Sequence, residues 1–301
     1  MNATVIISCY NQEKYIEDCL ISIMSQETDF ICEIIVSDDC STDSTRAILQ
    51  RLKDLNPTRL RLVLREKNVG PAQNYLLAHA MATGDIVFHI DGDDMMLPEK
   101  LQLQYDVFRL YPEVNIVLHR AVYFSDDLGY KSETVYPGEK SPQLIFFGLQ
   151  QLARWGSIAV HSSYAYRRSS RKAKIDGEFM EWFFAMDSLL DGGQGAYLNK
   201  VLVMYRSNSG GGSYLSTTTG RKKAYLIYFD DLIGYFTRHP DLRKDLYSNF
   251  LVTFLAMLIR TGLAALPNVY FLLKHLQYFR LLRFIETVSV RKLVGPARRA
   301  K

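Results

Sequence analysis

Four short apolar segments in the first 90 residues constrain the fold more than any other feature of the chain. They lie at residues 5–9, 33–37, 60–64 and 85–90. Segments with helical character lie between and after them, at residues 12–26, about 41–54, 71–82 and 98–110. Because the apolar segments are nearly continuous, they predict strands buried on both faces, as in a parallel sheet covered by helices. The predicted fold class is α/β, with a mainly parallel, doubly wound sheet.

The rest of the chain predicts other structure. Residues 113–165 predict further strands and loops, and Gly210 to Ser213 predict a flexible break. Residues 221–237 and about 243–285 predict a C-terminal helical extension. The 301 residues are 48% apolar and 23% charged, which is ordinary globular composition and enough for one large domain or two small ones.

Charge is distributed unevenly along the chain. Residues 241–301 contain eleven Lys and Arg against three acids, a net charge of +8, which leaves −4 on residues 1–240. The total of +4 makes a nucleic-acid partner unexpected. The charge-free runs 246–259 and 261–273 are shorter than the ~18–20 residues of a spanning helix, so we expect the extension to lie on a membrane surface. The alternative is that these helices pack on the rest of the chain or on another subunit.

Cysteine usage and the first residues both suggest a cytoplasmic protein. Cys9, Cys19, Cys32 and Cys40 form no CxxC pair, so we expect free thiols in a reducing compartment. The first four residues lack a basic region and a cleavage site, so secretion is not expected. The predicted location is cytoplasmic, peripheral on the inner face of the plasma membrane.

Two acidic clusters follow predicted strands. Asp38 and Asp39 follow the second strand, where one carboxylate could cap the next helix or accept from the N–H of a nucleobase. The run from Asp91 to Asp94 follows the fourth strand, with Gly92 between the first two acids. Three carboxylates so close together repel one another unless a hard cation such as Mg²⁺ or Mn²⁺ lies among them. The alternative is a solvated acidic turn.

These motifs, in this order, resemble glycosyltransferase family 2, whose members have the GT-A fold. The matching stretches are 5–11, 22–26, 34–43, 68–70, 73–74, 84–85, 90–94, Pro98 and Leu101. A weaker match covers Gly193 to Ser213, where Tyr197 to Arg206 resembles the closing segment of the family. The resemblance implies an inverting, metal-dependent transferase that uses a nucleoside-diphosphate sugar.

The resemblance also implies how the donor is bound. Tyr10 and Asn11 would flank the nucleotide, with the tyrosine ring on the base, and Asp39 would pair with the base. Asp91 would lie near the ribose and the metal.

The same resemblance implies the metal and diphosphate contacts. Asp93, the second acid of the D-x-D motif, would bind the Mn²⁺ or Mg²⁺ that bridges the phosphates, and Arg206 would contact the diphosphate. The family often has His two residues after that Arg. Here the residue is Asn208, whose oxygen can serve as a further metal ligand.

The catalytic base is predicted from an acidic residue at a helix start before the Tyr-Arg segment. Glu181 fits this place, and Asp187 is the next candidate. Trp182 could stack on a sugar or belong to the core, and His161 could be structural or could face the acceptor. Glu181 could also be a helix-start charge favoured by the helix dipole.

The sequence therefore predicts three regions. Residues 1–112 would bind the nucleotide-sugar, residues 113–215 would bind the acceptor and supply the base, and residues 216–301 would form the basic helical extension. The predicted reaction is transfer of a hexose-type sugar, UDP-linked by preference, to a hydroxyl of a glycan or lipid-linked acceptor in cell-surface polysaccharide synthesis. The alternatives are a nucleotidyltransferase and a non-catalytic sugar-nucleotide-binding or membrane scaffold protein. A nicotinamide-dependent dehydrogenase is disfavoured because no G-x-G-x-x-G follows the first strand.

Overall fold

The chain forms a sheet flanked by helices. The computed structural model describes residues 1–125, 129–134, 143–175, 177–207 and 218–294. The strands are β1 (Ala3–Cys9), β2 (Cys32–Asp38), β3 (Leu60–Leu64), β4 (Ile86–Asp91), β5 (Met95–Met96), β6 (Val114–Phe124), β7 (Tyr130–Glu133), β8 (Leu144–Phe147), β9 (Ala165–Arg167) and β10 (Gln194–Arg206). The α-helices are α1 (Ile16–Met24), α2 (Thr45–Leu55), α3 (Pro71–His79), α4 (Lys100–Leu110), α5 (Leu149–Trp155), α6 (Glu181–Leu190), α7 (Thr218–Arg238), α8 (Arg243–Thr261), α9 (Val269–Lys274) and α10 (Leu281–Val294).

The strands form one sheet in the order β3-β2-β1-β4-β9-β6-β10-β5, with β7 beside β6 and β8 beside β10. The first four strands in this order are all parallel, so this half is doubly wound as predicted. Beyond β4 the sheet is mixed, because β9 pairs antiparallel with both β4 and β6, while β10 runs parallel to β6. The α/β class is confirmed, with a parallel half and a mixed half.

Helices cover both faces of the parallel half. Val5 and Ile7 of β1 pack in one core cluster with residues of α1 and α2. Ile6, which points to the opposite face, packs in a second cluster with Tyr75 and Ala78 of α3. The continuous apolar pattern of β1 therefore reflects burial on both sides.

Several helices begin later or end earlier than predicted, for local reasons. Residue Asn11 has φ 51°, so the chain turns before α1 begins at Ile16. Helix α2 begins at Thr45, whose N–H donates to Asp43 Oδ1 at 3.0 Å. The predicted helix 243–285 is interrupted where Gly262 takes φ 60° and a 3-10 segment precedes α9.

The C-terminal helices pack on the rest of the chain. Asn249 Nδ2 of α8 donates to the carbonyl of Ala153 at 2.7 Å, and Trp155 Nε1 donates to Glu286 of α10 at 2.8 Å. Asp231 of α7 accepts from the N–H of Met180 at 2.9 Å. The alternative in which these helices pack on the rest of the chain is thus observed for α7, α8 and α10. Within the described residues, no helix has both the length and the apolar character needed to cross a bilayer.

Candidate active site

The carboxyl ends of β2, β1 and β4 meet at one edge of the sheet. The strand register pairs Cys9 with Asp38 and Ser8 with Asp91, so β1 lies between the two acidic clusters. Ligands of open α/β sheets bind at this edge. The topology therefore brings together two motifs that are far apart in sequence.

Asp38 is a structural residue in the first cluster. It is fully buried, and its Oδ2 accepts from the N–H of Ser41 at 3.0 Å and from Arg46 Nε at 2.7 Å. Asp43, not Asp38 or Asp39, contacts the first N–H of α2. The helix-cap interpretation of the Asp pair is therefore wrong.

Asp39 links the end of β2 to the turn before α3. It is 2% exposed, and its two oxygens accept from the N–H groups of Val69 at 2.8 Å and Gly70 at 2.9 Å. The amide of Asn68 donates to the Asp39 carbonyl at 3.0 Å. Each carboxylate oxygen keeps a second lone pair, so the predicted contact with a base remains chemically open.

The turn after β1 contains Tyr10 and Asn11. Tyr10 is 46% exposed, so a ligand can reach it. The side-chain oxygen of Asn11 accepts from the N–H of Thr42 at 2.8 Å, and the backbone N–H of Asn11 donates to Ser41 Oγ at 2.9 Å. The turns after β1 and β2 are therefore fastened to each other.

The acidic run after β4 divides into a buried residue and two more accessible ones. Asp94 is 1% exposed and accepts from the N–H of Arg206 at 2.7 Å and from the Ser162 hydroxyl at 2.5 Å. The carboxylate of Asp91 is 32% exposed, and Asp93 is half-buried. These two carboxylates are the ones available to a ligand.

The electrostatics of this run fit a hard divalent cation. Burial raises the pKa of Asp94 well above its usual value, and the charges of Asp93 and Asp91 raise it further. A cation among these oxygens would relieve that repulsion, and carboxylate oxygens are ligands that Mn²⁺ and Mg²⁺ take. Asn208, predicted as a further ligand, lies outside the described residues.

Arg206, at the end of β10, lies beside the acidic run. Its Nε donates to the carbonyl of Asp93 at 2.8 Å. Its guanidinium lies 4.2 Å from the ring centre of Tyr15 and 4.3 Å from that of Phe124. This side chain is thus held close to the position predicted for a diphosphate.

Glu181, the first residue of α6, and Asp91 both lie close to one nitrogen of His161. The Nδ1 atom of His161 lies 3.8 Å from Glu181 Oε1 and 3.7 Å from Asp91 Oδ1. The Glu181 side chain is 35% exposed, so solvent and substrate can reach it. His161, which we predicted to be either structural or acceptor-facing, lies between the donor-side and base-side carboxylates.

The other candidates in α6 are structural. Asp187 is 6% exposed, and one of its oxygens accepts from the N–H groups of Lys172 at 2.9 Å and Ala173 at 3.0 Å. Trp182 is fully buried, and its indole N–H donates to the carbonyl of Leu152 at 3.1 Å. The geometry therefore favours Glu181 over Asp187 as the base and places Trp182 in the core.

Two further histidines beneath the site were not predicted. His89 Nε2 lies 3.1 Å from Asp91 Oδ1, and His79 Nε2 lies 3.0 Å from His89 Nδ1. Burial lowers the pKa of His89 to about 3 and that of His79 well below its usual value, so both rings are neutral. The available signal was strand alternation, because His89 and Asp91, two residues apart in β4, face the same side.

The ligand atoms of His89, Asp91 and His161 lie within 4.8 Å of one another, but both ring nitrogens of His89 already have hydrogen-bond partners in Asp91 and His79, so Asp91 and His161 are the candidates in this group for a cation. Burial by itself would raise the pKa of Asp91, but the charge of His161 and hydrogen bonds from both histidines outweigh burial and lower it. Asp91 is therefore held as a carboxylate that can bind a cation.

Known proteins resemble the chain in sequence and fold. The model of Glycosyl transferase family 2 matches residues 4–173. Uncharacterized protein Rv1520 of Mycobacterium tuberculosis is 29% identical over 223 residues, which are 73% of this chain and 62% of that protein. Poly(ribitol-phosphate) beta-N-acetylglucosaminyltransferase TarS of Staphylococcus aureus is 37% identical over 106 residues, 34% of this chain and 18% of TarS.

A solved structure extends the likeness to nearly the whole chain. Residues 1–349 of S. aureus TarS, in complex with UDP-GlcNAc, align with a TM-score of 0.67 at 18% identity, covering 98% of this chain and 82% of that one. At that identity the likeness concerns the fold, which is the GT-A fold predicted from the motifs. Since the family model matches more than half of the residues, the chain belongs to glycosyltransferase family 2.

Proposed function

We propose that the protein is an inverting, metal-dependent glycosyltransferase that moves a sugar from a UDP-sugar to a hydroxyl of a glycan or lipid-linked acceptor. The observation that supports this best is that Asp91, in the same acidic run as Asp93, and Glu181 both lie within 4 Å of His161 Nδ1. TarS, a poly(ribitol-phosphate) beta-N-acetylglucosaminyltransferase by its name, has been solved with UDP-GlcNAc, which favours a UDP-linked donor.

The donor would bind along the edge formed by residues 1–112. Tyr10 would stack on the base, and Asn11 and Asp39 would contact the nucleoside. Asp91 and Asp93 would hold the Mn²⁺ or Mg²⁺ ion, with Asn208 as a further candidate ligand. When bound, such an ion offsets negative charge on the leaving diphosphate.

Arg206 would add a second positive charge on that side. Its guanidinium is anchored through Asp93 and lies against two aromatic rings, so it is oriented before the donor arrives. A preoriented charge stabilises the developing diphosphate without reorganisation during the reaction.

Residues 113–215 would supply the acceptor side and the base. Inversion requires a carboxylate that removes the acceptor proton from the face opposite the leaving group. Glu181 would meet this need because it is partly exposed and lies near His161 Nδ1, which is also close to the donor carboxylate Asp91. Asp231 fixes the start of α6 by accepting from the N–H of Met180.

A transfer assay with Glu181→Gln tests this proposal. The purified chain would be incubated with UDP-sugars, Mn²⁺ and extracts of cell-surface glycans, and released UDP would be measured. We expect Glu181→Gln to bind the donor normally but to transfer at least about 100-fold more slowly, the usual contribution of a general base. Asp187→Asn is the matched control. Any activity that it loses should be no more than the fraction of the variant that is unfolded under the assay conditions.

The alternatives give different results in the same assay. A nucleotidyltransferase would release no UDP from a UDP-sugar; supplied instead with UTP and a sugar 1-phosphate, it would form the UDP-sugar and release pyrophosphate. A binding or scaffold protein would show donor binding without turnover and no effect of Glu181→Gln. Either result would overturn the proposed transfer reaction.

We also assign residues 216–301 a role at an anionic membrane surface, on the inner face of the plasma membrane. The run 246–285 contains no Asp or Glu and includes Arg260, Lys274 and Arg280, besides Arg283, which pairs with Asp245 at the start of α8. Among the residues whose burial the structure describes, its large exposed apolar side chains are Leu255, Leu258, Ile259, Leu266, Tyr270, Leu273, Leu276, Leu281, Leu282 and Ile285. Apolar groups interspersed with basic ones, without acids, match the chemistry of an anionic lipid interface.

Vesicle sedimentation of the full chain tests the membrane role. We expect binding to vesicles that contain phosphatidylglycerol, weaker binding to neutral vesicles, and about a fivefold loss for Lys274→Gln. Leu282→Ser should weaken binding, whereas Ile31→Ser, at an equally exposed position outside the extension, should not. Equal losses in the two serine variants would refute the assignment.

A further inference from the structure

A chain of hydrogen bonds runs through the core to the donor carboxylate. The Tyr166 hydroxyl lies 2.7 Å from His79 Nδ1, His79 Nε2 lies 3.0 Å from His89 Nδ1, and His89 Nε2 lies 3.1 Å from Asp91 Oδ1. Three elements contribute, namely β9, α3 and β4. The chain of contacts begins in the core and ends at a partly exposed carboxylate.

The chemistry of the side chains determines which atom donates and which accepts in each of these hydrogen bonds. An ionised carboxylate only accepts, so His89 Nε2 carries the proton and its Nδ1 accepts. His79 must then donate from Nε2 and accept at Nδ1, which leaves the Tyr166 hydroxyl as the first donor. All three bonds therefore point toward Asp91, and aligned bonds of this kind polarise one another.

Aromatic packing holds each member in place. Tyr75 lies 3.9 Å from the His79 ring, and the His161 ring stacks on His89 at 3.9 Å between centroids. The guanidinium of Arg171 lies 3.4 Å from the centre of the Tyr166 ring. Rotation of any of these rings would require its neighbours to move, so the packing holds the hydrogen-bonded side chains in this arrangement.

We infer that Tyr166, His79 and His89 are positioning residues that fix the orientation of the Asp91 carboxylate and thereby set the affinity for the donor's cation. The inference rests on the proposed function, which assigns Asp91 to the cation. None of the three side chains contacts the substrate in this scheme. They act only through Asp91.

The expected effect is large for groups outside the site. Partners that orient a metal-binding carboxylate typically change metal affinity or activity by about 10–100-fold when removed. A carboxylate free to rotate must be ordered when the cation binds, which weakens binding without removing a ligand atom. Loss of His89 should therefore raise the Kd of the cation while leaving the fold intact.

The test uses the full chain, with Mn²⁺ titrated calorimetrically in the presence of UDP. We expect His89→Leu to raise the Mn²⁺ Kd by about 10-fold or more, and His79→Leu and Tyr166→Phe to raise it less. His89→Gln should restore much of the affinity, because the glutamine amide N–H is as far from Cβ as His Nε2. His119→Leu is the matched control, since His119 is also fully buried but bonds to the carbonyl of Arg120.

Melting temperatures separate positioning from stability. If His89→Leu and His119→Leu lower the melting temperature alike and raise the Mn²⁺ Kd alike, the inference is wrong. If His89→Leu does not fold, an unchanged Kd in Tyr166→Phe refutes it equally. Asp91→Asn and Asp93→Ala separate the two proposals: no change in Mn²⁺ binding there contradicts the proposed function, whereas loss there with normal binding in the His89 and His79 variants contradicts only the inference.

Discussion

Asp231 gives a stability prediction that can be worked from the structure. It is 7% exposed in α7 and accepts from the N–H of Met180, next to the predicted base. Burial raises its pKa to about 7, the Met180 N–H partly opposes this, and the charges of Asp230 and Glu181 raise it further while Arg238 lowers it. The folded protein therefore holds this proton more tightly than the unfolded chain does.

The sign and size of the pH effect follow. The unfolded pKa is about 3.9, so the folded state binds an extra proton between roughly pH 4 and 7, and the free energy of unfolding falls as pH rises through that window. A pKa difference of roughly three corresponds to at most about 4 kcal/mol. Asp231→Asn removes the titration but keeps an oxygen for Met180. It should come closest to the wild type at about pH 4 and be more stable at pH 8, and the difference should grow between these two values.

Urea denaturation at both pH values measures this effect, followed by fluorescence of Trp155 and Trp182, which are both buried. Asp231→Leu is the control that loses the acceptor for Met180, and it should be less stable than Asp231→Asn by about 1–3 kcal/mol. The reasoning is refuted if wild type and Asp231→Asn show the same dependence on pH, or if Asp231→Asn is the less stable at pH 8.

Two further substitutions test the packing of the core. Gly84→Ala would place a Cβ atom 2.6 Å from the Ala3 carbonyl carbon in β1, so it should cost at least about 1–3 kcal/mol in urea denaturation, whereas Gly148→Ala, whose nearest atom is 3.7 Å away, should be close to neutral. Lys100 is fully buried, and burial lowers its pKa to about 7, so Lys100→Met should raise the urea midpoint at pH 7; a lower midpoint would contradict this.

The N-terminal half of the fold could be predicted because its signals are local. Each parallel strand is a continuous apolar run, and each acidic cluster comes directly after one. The mixed half could not be predicted, because β9 has three residues and β10 pairs with β6 through several register shifts. Such pairings depend on contacts between distant segments.

The candidate site could likewise be predicted only in part. Sequence order places Asp39 and Asp91 at strand ends, but it cannot separate Glu181 from Asp187, which differ in burial and in the N–H groups that they face. The histidine chain was missed because His79 and His89 meet only when α3 packs on β4. Trp182 was ambiguous because the carbonyl of Leu152 that accepts its N–H lies in α5.

A thermal-shift measurement with UDP-sugars, with and without Mn²⁺, tests the donor site at the centre of the proposed function. A ligand at 100 times its Kd stabilises the folded state by about 2.7 kcal/mol, which is a melting-temperature rise of several degrees. We predict a rise with one UDP-sugar that requires Mn²⁺ and is lost in Asp93→Ala. A rise of the same size in Asp93→Ala, or no rise with any UDP-sugar, would contradict the assignment of the acidic run to a metal-bound nucleotide-sugar.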